Sequence, residues 1–257
     1  MDPDRPTPLA RAWAWVPFVF SAALVATALH LGIRWPWLGV SLGLVALWIG
    51  LREIAARRRA RELLVSGDVE SVLALWGRSL DGVPHPETIE PLVAATALAA
   101  NGMIDRARGA LARAERGPAW DATLEHRLFV ETLLDAFEGE RERALEKAQA
   151  LESLPLPTVG PFLRSRVAML RGAAAALARS FAHVAGGKDV DLLLFVARRN
   201  PLVHWAMRYA AAIACVDAGE RGRAQDLLAG APSWPEGSAF QAFHEELARA
   251  ADGAGFG

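Results

Sequence analysis

The chain has 257 residues, is 53% apolar and 22% charged, carries a formal net charge of −1, and contains one cysteine, Cys215. A lone cysteine excludes an intrachain disulfide and any cysteine-based zinc site. The charge is unevenly placed: residues 1–61 hold eight arginines and three acids, a balance of +5, whereas residues 62–257 hold 20 basic and 26 acidic residues, a balance of −6. Nucleic-acid affinity rests on cations that replace condensed counterions, so an acidic body argues against such a partner.

Residues 12–31 (AWAWVPFVFSAALVATALHL) carry no formal charge over twenty positions, enough at helical rise to match a hydrocarbon core about 30 Å thick. Residues 35–51 (WPWLGVSLGLVALWIGL) are a second uncharged run, at the short end for a span. Only Gly32, Ile33 and Arg34 separate them, which predicts a two-span membrane hairpin over residues 1–51. Trp13 and Trp15 begin the first span, Trp35 and Trp37 flank the turn, and Trp48 ends the second, at the two levels where amphipathic rings prefer to lie. Gly39 and Gly43 form a small-residue pair suited to close helix packing in the membrane, against the first span or a second copy of the chain. Arg52, Arg57, Arg58, Arg59 and Arg61 follow the second span, Arg5 and Arg11 precede the first, and Arg34 alone is in the turn. The positive-inside bias then puts both termini in the cytoplasm, as a multi-pass protein of a bacterial inner membrane, with the arginines near lipid headgroups. Arginine so outnumbers lysine (Lys147 and Lys188 are the two lysines) that a GC-rich bacterial genome is the simplest source.

After a basic junction at residues 52–66 the pattern changes. An apolar helix ends in glycine, apolar residues follow at five and nine positions, a small residue stands seven before, and proline closes the unit. The glycines are Gly67, Gly102, Gly139, Gly187 and Gly219. The positions five on are Val72, Ala107, Ala144, Leu192 and Ala224, and nine on Trp76, Leu111, Ala148, Val196 and Leu228. Glycine permits the left-handed turn that ends a helix, and proline stops the next one. Residues 152–164, with three prolines, read as a longer loop between units. No single helix pair can bury its apolar face alone, so the stack is the folding unit. This pattern resembles the tetratricopeptide repeat (TPR) family, most closely at Gly102–Pro118 and Gly219–Pro235, although the tryptophan and tyrosine usual in the first helix of each repeat are mostly missing. The expected fold is all-α: a membrane hairpin, then a TPR-like α-solenoid of about five helix pairs over residues 67–235, then a capping helix and tail over 236–257 with Phe240, Phe243 and Leu247 on one side.

No catalytic constellation emerges. The lysine at Lys188 follows two glycines without the Ser/Thr and strand of a phosphate loop, and Phe243–Leu247 lacks the second histidine of a zinc helix. The chain reads as a non-enzymatic protein without cofactor or metal. What the TPR resemblance implies is a concave surface built from the first helices. Its inward positions would be Ile89, Leu92, Thr96, His126, Phe129, Leu133, Phe137, Leu177, Phe181, Tyr209 and Ile213. That set is apolar and aromatic, suited to an amphipathic helix or extended apolar peptide. It lacks the ring of Lys, Arg and Asn that clamps a carboxylate. Two readings of this face stay open: a groove for a protein partner, or core covered by the C-terminal helix. Three roles follow for the whole: first a membrane-tethered adaptor presenting a repeat surface, next a structural subunit recognised through its hairpin, and last a small-molecule sensor or enzyme with a ligand held in the curve of the array.

Overall fold

The computed structural model describes residues 36–77, 80, 82–158 and 160–252, and among them the chain is all-helical, without a strand. It divides into two compact units, residues 1–60 and 61–257. The first predicted span, with Trp13 and Trp15, and Trp35 at the start of the second lie outside the described residues.

Helix α1 runs from Pro36 to Val65. Proline is at its first position, where the missing N–H has no partner to lose. Its uncharged portion, from Pro36 to Leu51, would rise only about 24 Å. Among the described residues no helix is long and apolar enough to cross a membrane. Large apolar side chains nonetheless point outward along this portion: Trp37 is 63% exposed and Trp48 61%, with Val40, Leu44, Leu47 and Leu51 similar. Gly39 and Gly43 lie in its first turns, and a Cβ on Gly43 would meet nothing within 4 Å. Then come the exposed arginines at 52, 57, 58 and 59; the Arg52 guanidinium sits over the Trp48 ring, 5.6 Å from its centre, and Arg57 pairs with Glu53 at 2.9 Å.

In the second unit the helices are α2 (Val69–Gly77), α3 (Pro86–Ala100), α4 (Ile104–Ala114), α5 (Leu124–Phe137), α6 (Arg141–Ser153), α7 (Pro161–Phe181), α8 (Gly187–Arg199), α9 (His204–Asp217), α10 (Arg221–Leu228) and α11 (Ala239–Ala251). Four antiparallel pairs are evident: α3 with α4, α5 with α6, α7 with α8, α9 with α10. The first members also touch one another in order, α3 to α5 to α7 to α9, and α9 returns to α3. An open solenoid keeps contacts between neighbours; here the first and fourth pairs meet and close a ring. Helix α2 packs on α3 beside it.

Burial explains the two kinds of helix. The C-terminal halves of α3, α5, α7 and α9 are largely buried and carry few charges; α7 has Ala173–Ala178 there. Small side chains let the partner helix approach, while Leu133, Leu177 and Tyr209 fill the centre. The second helices bury one stripe only, as with Ala107, Ala110, Leu111 and Ala114 in α4, and keep charges outside.

Each inner helix ends in one hydrogen-bond pattern. Gly102 N–H donates to Ala99 O and Met103 N–H to Leu98 O; Gly139, His183 and Gly219 repeat it with their own neighbours. All four residues have positive φ, between 59° and 82°, the left-handed turn that satisfies the last carbonyls of a helix. The third turn corrects the sequence reading. It is made at His183, not Gly187, which instead opens α8. His183 holds this conformation while its Nδ1 lies 2.9 Å from Asp217. The loop between the second and third pairs is also shorter than expected. Helix α6 runs to Ser153 and α7 begins at Pro161, at a helix start where proline is tolerated.

The ring is closed by the C-terminal segment. Ser238 caps α11, accepting from Phe240 N–H, while its hydroxyl donates to Asn101 O at 2.7 Å and Ala239 N–H donates to Gly102 O at 2.9 Å. Phe240 is fully buried, with ring centres of Phe137, Tyr209 and Trp234 within 5.0–5.2 Å.

Candidate functional site

The predicted inward residues separate into three groups, with Ile89 apart from them. Leu92, Leu133, Phe137 and Tyr209 are buried core. They are not the floor of an open groove, because α11 lays Phe240 and Phe243 across that end of the ring. Tyr209 accepts from Trp234 Nε1 at 2.7 Å, and burial pushes its phenol up to about 12, against the smaller opposing effects of Trp234 and Arg208. Phe181 and Ile213 are half-buried and, with Phe137, line a small pit of about 210 Å³ beside α11, rimmed by Arg141, His183, Asp217 and Glu246. Ile89 is half-buried near the start of α3, outside both pockets described here.

His126 and Phe129 belong to a larger pocket of about 430 Å³ at the other end of the ring. Its walls come from four elements. Helix α3 gives Thr96, α5 gives Glu125, His126 and Phe129, α7 gives Leu170 and Arg171, and the short 3₁₀ turn Pro201–Val203 before α9 gives Leu202 and Val203; Thr123, Leu151 and Asn200 complete it.

Its polar groups are ordered. Arg171 is almost fully buried, donates to Leu154 O and Pro155 O, and pairs with Glu125 at 3.0 Å. The guanidinium thus fastens the proline-containing loop to α5 and α7. Thr96 Oγ1 lies 2.9 Å from Leu92 O and 2.7 Å from His126 Nε2. The hydroxyl has one hydrogen; with that on the Leu92 carbonyl, the imidazole Nε2–H donates and Nδ1 remains an acceptor. Burial holds His126 below its ordinary pKa, only partly offset by Glu125, so the ring is neutral near pH 7. The arrangement is therefore an apolar cleft with a neutral imidazole, a carboxamide and a half-exposed carboxylate at its edge. Such a cleft binds by shape and a few hydrogen bonds. With its hydrogen on the Leu92 carbonyl, the Thr96 hydroxyl accepts from His126 rather than giving up a proton to it. Cys215 is elsewhere, buried in α9, where burial pushes its thiol up and keeps it protonated. Among the described residues no group of three His, Cys, Asp or Glu is placed to hold a metal ion.

Sequence reasoning found His126, Phe129 and Thr96 but missed Arg171, Asn200 and Leu202. A signal existed for the first: Arg171 stands alone between apolar Met169-Leu170 and the alanine run that follows, where a charge needs a partner.

A second polar cluster has a structural role. Asp135 of α5 has no exposed side-chain surface and lies 2.5 Å from Arg108 of α4 and 2.8 Å from Lys147 of α6. Burial pushes its carboxyl up, but Lys147 and Arg108 together more than offset this and hold it below the usual carboxylate range. One buried carboxylate thus ties the first pair to the second.

No protein-family model matches the chain, and no curated protein or solved structure matches it either.

Proposed function

We propose that the protein is a non-enzymatic, membrane-tethered adaptor of a bacterial inner membrane, with a TPR-like helical body in the cytoplasm that holds a protein partner. The observation that carries this reading is the make-up of α1: outward-facing Trp37, Val40, Leu44, Leu47 and Trp48, no charge before Arg52, then a run of exposed arginines. In water such a surface is a liability; in a bilayer, joined to residues 12–31 as a hairpin, it is an anchor, with membrane lipids around it and the arginines on the cytoplasmic side. The Gly39/Gly43 face then serves packing within the hairpin or against a second copy.

The partner-binding element in this reading is the pocket of His126 and Phe129, since α11 covers the other end of the ring. Its size and apolar lining suit one or two large side chains of an apolar peptide. The test has two arms. Alkaline washing of native membranes should leave the chain in the pellet, and its release would remove the tether. Cross-linking in those membranes should recover a recurrent partner that Phe129→Asp loses while the variant keeps the wild-type melting temperature; retained capture by that variant would remove the pocket from the reading.

A further inference from the structure

The second unit has 26 acidic residues by sequence, yet none lies between Leu154 and Lys188 or between Leu192 and Val216. These two stretches hold Arg164, Arg166, Arg171, Arg179, Lys188, Arg198, Arg199 and Arg208. The structure brings their exposed portions together. Phe162, Arg166 and Met169 of α7 share a groove of about 400 Å³ with Phe195 and Arg199 of α8. Arg164 and Arg198, next to groove residues in sequence, are exposed as well. Among the described residues of this unit four large apolar side chains are exposed; Phe162 at 77% and Phe195 at 43% line the groove, and Leu163 at 46% is next to Phe162 in sequence. The Arg199 guanidinium lies over the Phe195 ring, 4.4 Å from its centre.

Position adds a third observation. Arg61, the first residue of this unit, donates from its guanidinium to Arg198 O at 3.1 Å. The C-terminal end of α8 is thus fixed at the point where the chain enters from α1. Leu51, the last residue of the uncharged run, is ten positions earlier in the sequence.

We propose that this face, Phe162 and Phe195 with Arg166 and Arg199, together with the exposed Leu163, Arg164 and Arg198 beside them in sequence, docks the helical body onto an anionic lipid surface. Exposed aromatics among cations, on an otherwise acidic body, match the two demands of a charged bilayer interface: apolar rings to enter the headgroup layer and cations to meet the phosphates. A protein partner or a second copy would ask for shape complementarity over a larger area, whereas a lipid surface needs only this chemistry. The inference rests on the tether proposed above for its nearness to the bilayer, but concerns a separate contact.

The test uses the full chain reconstituted in vesicles of phosphatidylcholine alone or with phosphatidylglycerol. A fluorophore is placed at Ser165→Cys, in the groove, and in a second sample at Glu142→Cys on α6, with a quencher carried on the lipid; buried Cys215 serves as its own unlabelled control. The expected result is quenching at residue 165 that requires phosphatidylglycerol, is lost in 0.5 M salt, and is lost on R164E/R166E/R198E/R199E, with residue 142 unquenched throughout. Salt reversal of the Ser165→Cys signal stands in for the quadruple variant if that variant does not fold. Docking is overturned if residue 165 stays unquenched while the chain remains on the vesicles. It is overturned equally if quenching is the same on phosphatidylcholine alone, or if it follows the protein-to-lipid ratio as self-association would. Loss of the chain from phosphatidylcholine vesicles on alkaline washing would instead remove the tether, and the label on anionic vesicles would still decide the docking.

Discussion

The indole N–H of Trp205 donates to the backbone carbonyl of Val65 at 2.8 Å, across 140 positions of sequence. Val65 is the last residue of α1 and Trp205 stands at the start of α9, so the bond joins the entry of the helical body to its fourth pair. Trp205→Phe keeps most of the ring's packing and removes the donor. It should destabilise the protein by about 1–2 kcal/mol, the loss of one hydrogen bond with a half-buried carbonyl left behind. Denaturant titration measures it, and limited proteolysis should show residues 61–66 cut sooner. A variant as stable as wild type would mean that the ring closes without this clasp.

Glycine turns provide an internal comparison. Gly102, Gly139 and Gly219 have nearly the same φ, but a Cβ on Gly102 would lie 2.8 Å from Ser238 Oγ and 2.9 Å from the Phe240 ring, whereas Gly139 and Gly219 face open space. Alanine at 139 or 219 should therefore cost about 1–2 kcal/mol, the strain of a left-handed residue alone. Alanine at 102 should cost about 3 kcal/mol or more, because it also pushes α11 away. Equal losses at the three sites would show that α11 yields without resistance.

Asp135 makes acid stability a property of the junction between the first and second pairs. Its folded pKa is depressed, so the stabilisation it provides is complete above about pH 4 and disappears as pH falls through the lower folded value. Asp135→Ala leaves Arg108 and Lys147 facing an empty site. Both keep some contact with water, so the expected loss is about 2–3 kcal/mol, below that of a fully buried pair. The acid limb of a stability–pH curve should be shallower in the variant; an unchanged limb would show that other carboxylates govern it.

Two histidines act in a higher window with the same sign. His126 and His204 are both held below their ordinary pKa, chiefly by burial. The folded state favours the neutral rings, so their contribution is complete above about pH 6.5 and is lost as pH falls below it toward the depressed values. His126→Gln keeps a hydrogen-bonding group near Thr96 without titrating. It should flatten the part of the curve just below pH 6.5 and leave the part below pH 4 alone, as followed by melting temperature against pH. An unaltered slope below pH 6.5 would mean His126 takes up its proton without unfolding pressure.

What could be read beforehand was whatever a local rule encodes. Gly102, Gly139 and Gly219 announce their turns because a left-handed residue is cheapest as glycine. His183 gives no such signal: a histidine in that conformation is held by Asp217, 34 positions on, and sequence alone points to a glycine four positions later, Gly187. The inward positions were legible as apolar and aromatic because helical spacing puts them on one stripe. Whether that stripe is open or covered depends on Ser238 meeting Asn101 across 137 positions, and no window of sequence carries that. For the same reason, the closure of α9 on α3 was invisible, and an open stack was the natural expectation. Arg171 was visible as an isolated charge, but its partners, Glu125 and two carbonyls of the proline loop, were not.

The return of α9 to α3 has a consequence for how such a chain can change. An open array tolerates duplication or loss of a unit, since every new unit finds the same two neighbours. In a ring, an added pair between α6 and α7 would carry α9 away from α3, part Trp205 from Val65, and leave α11 without Asn101 and Gly102 to sit on. A removed pair would force the same groups past one another. The number of units is therefore set by the circumference, and variation in length is confined to places that do not span it: the loop at 154–160, the segment before α3 and the two ends of the chain.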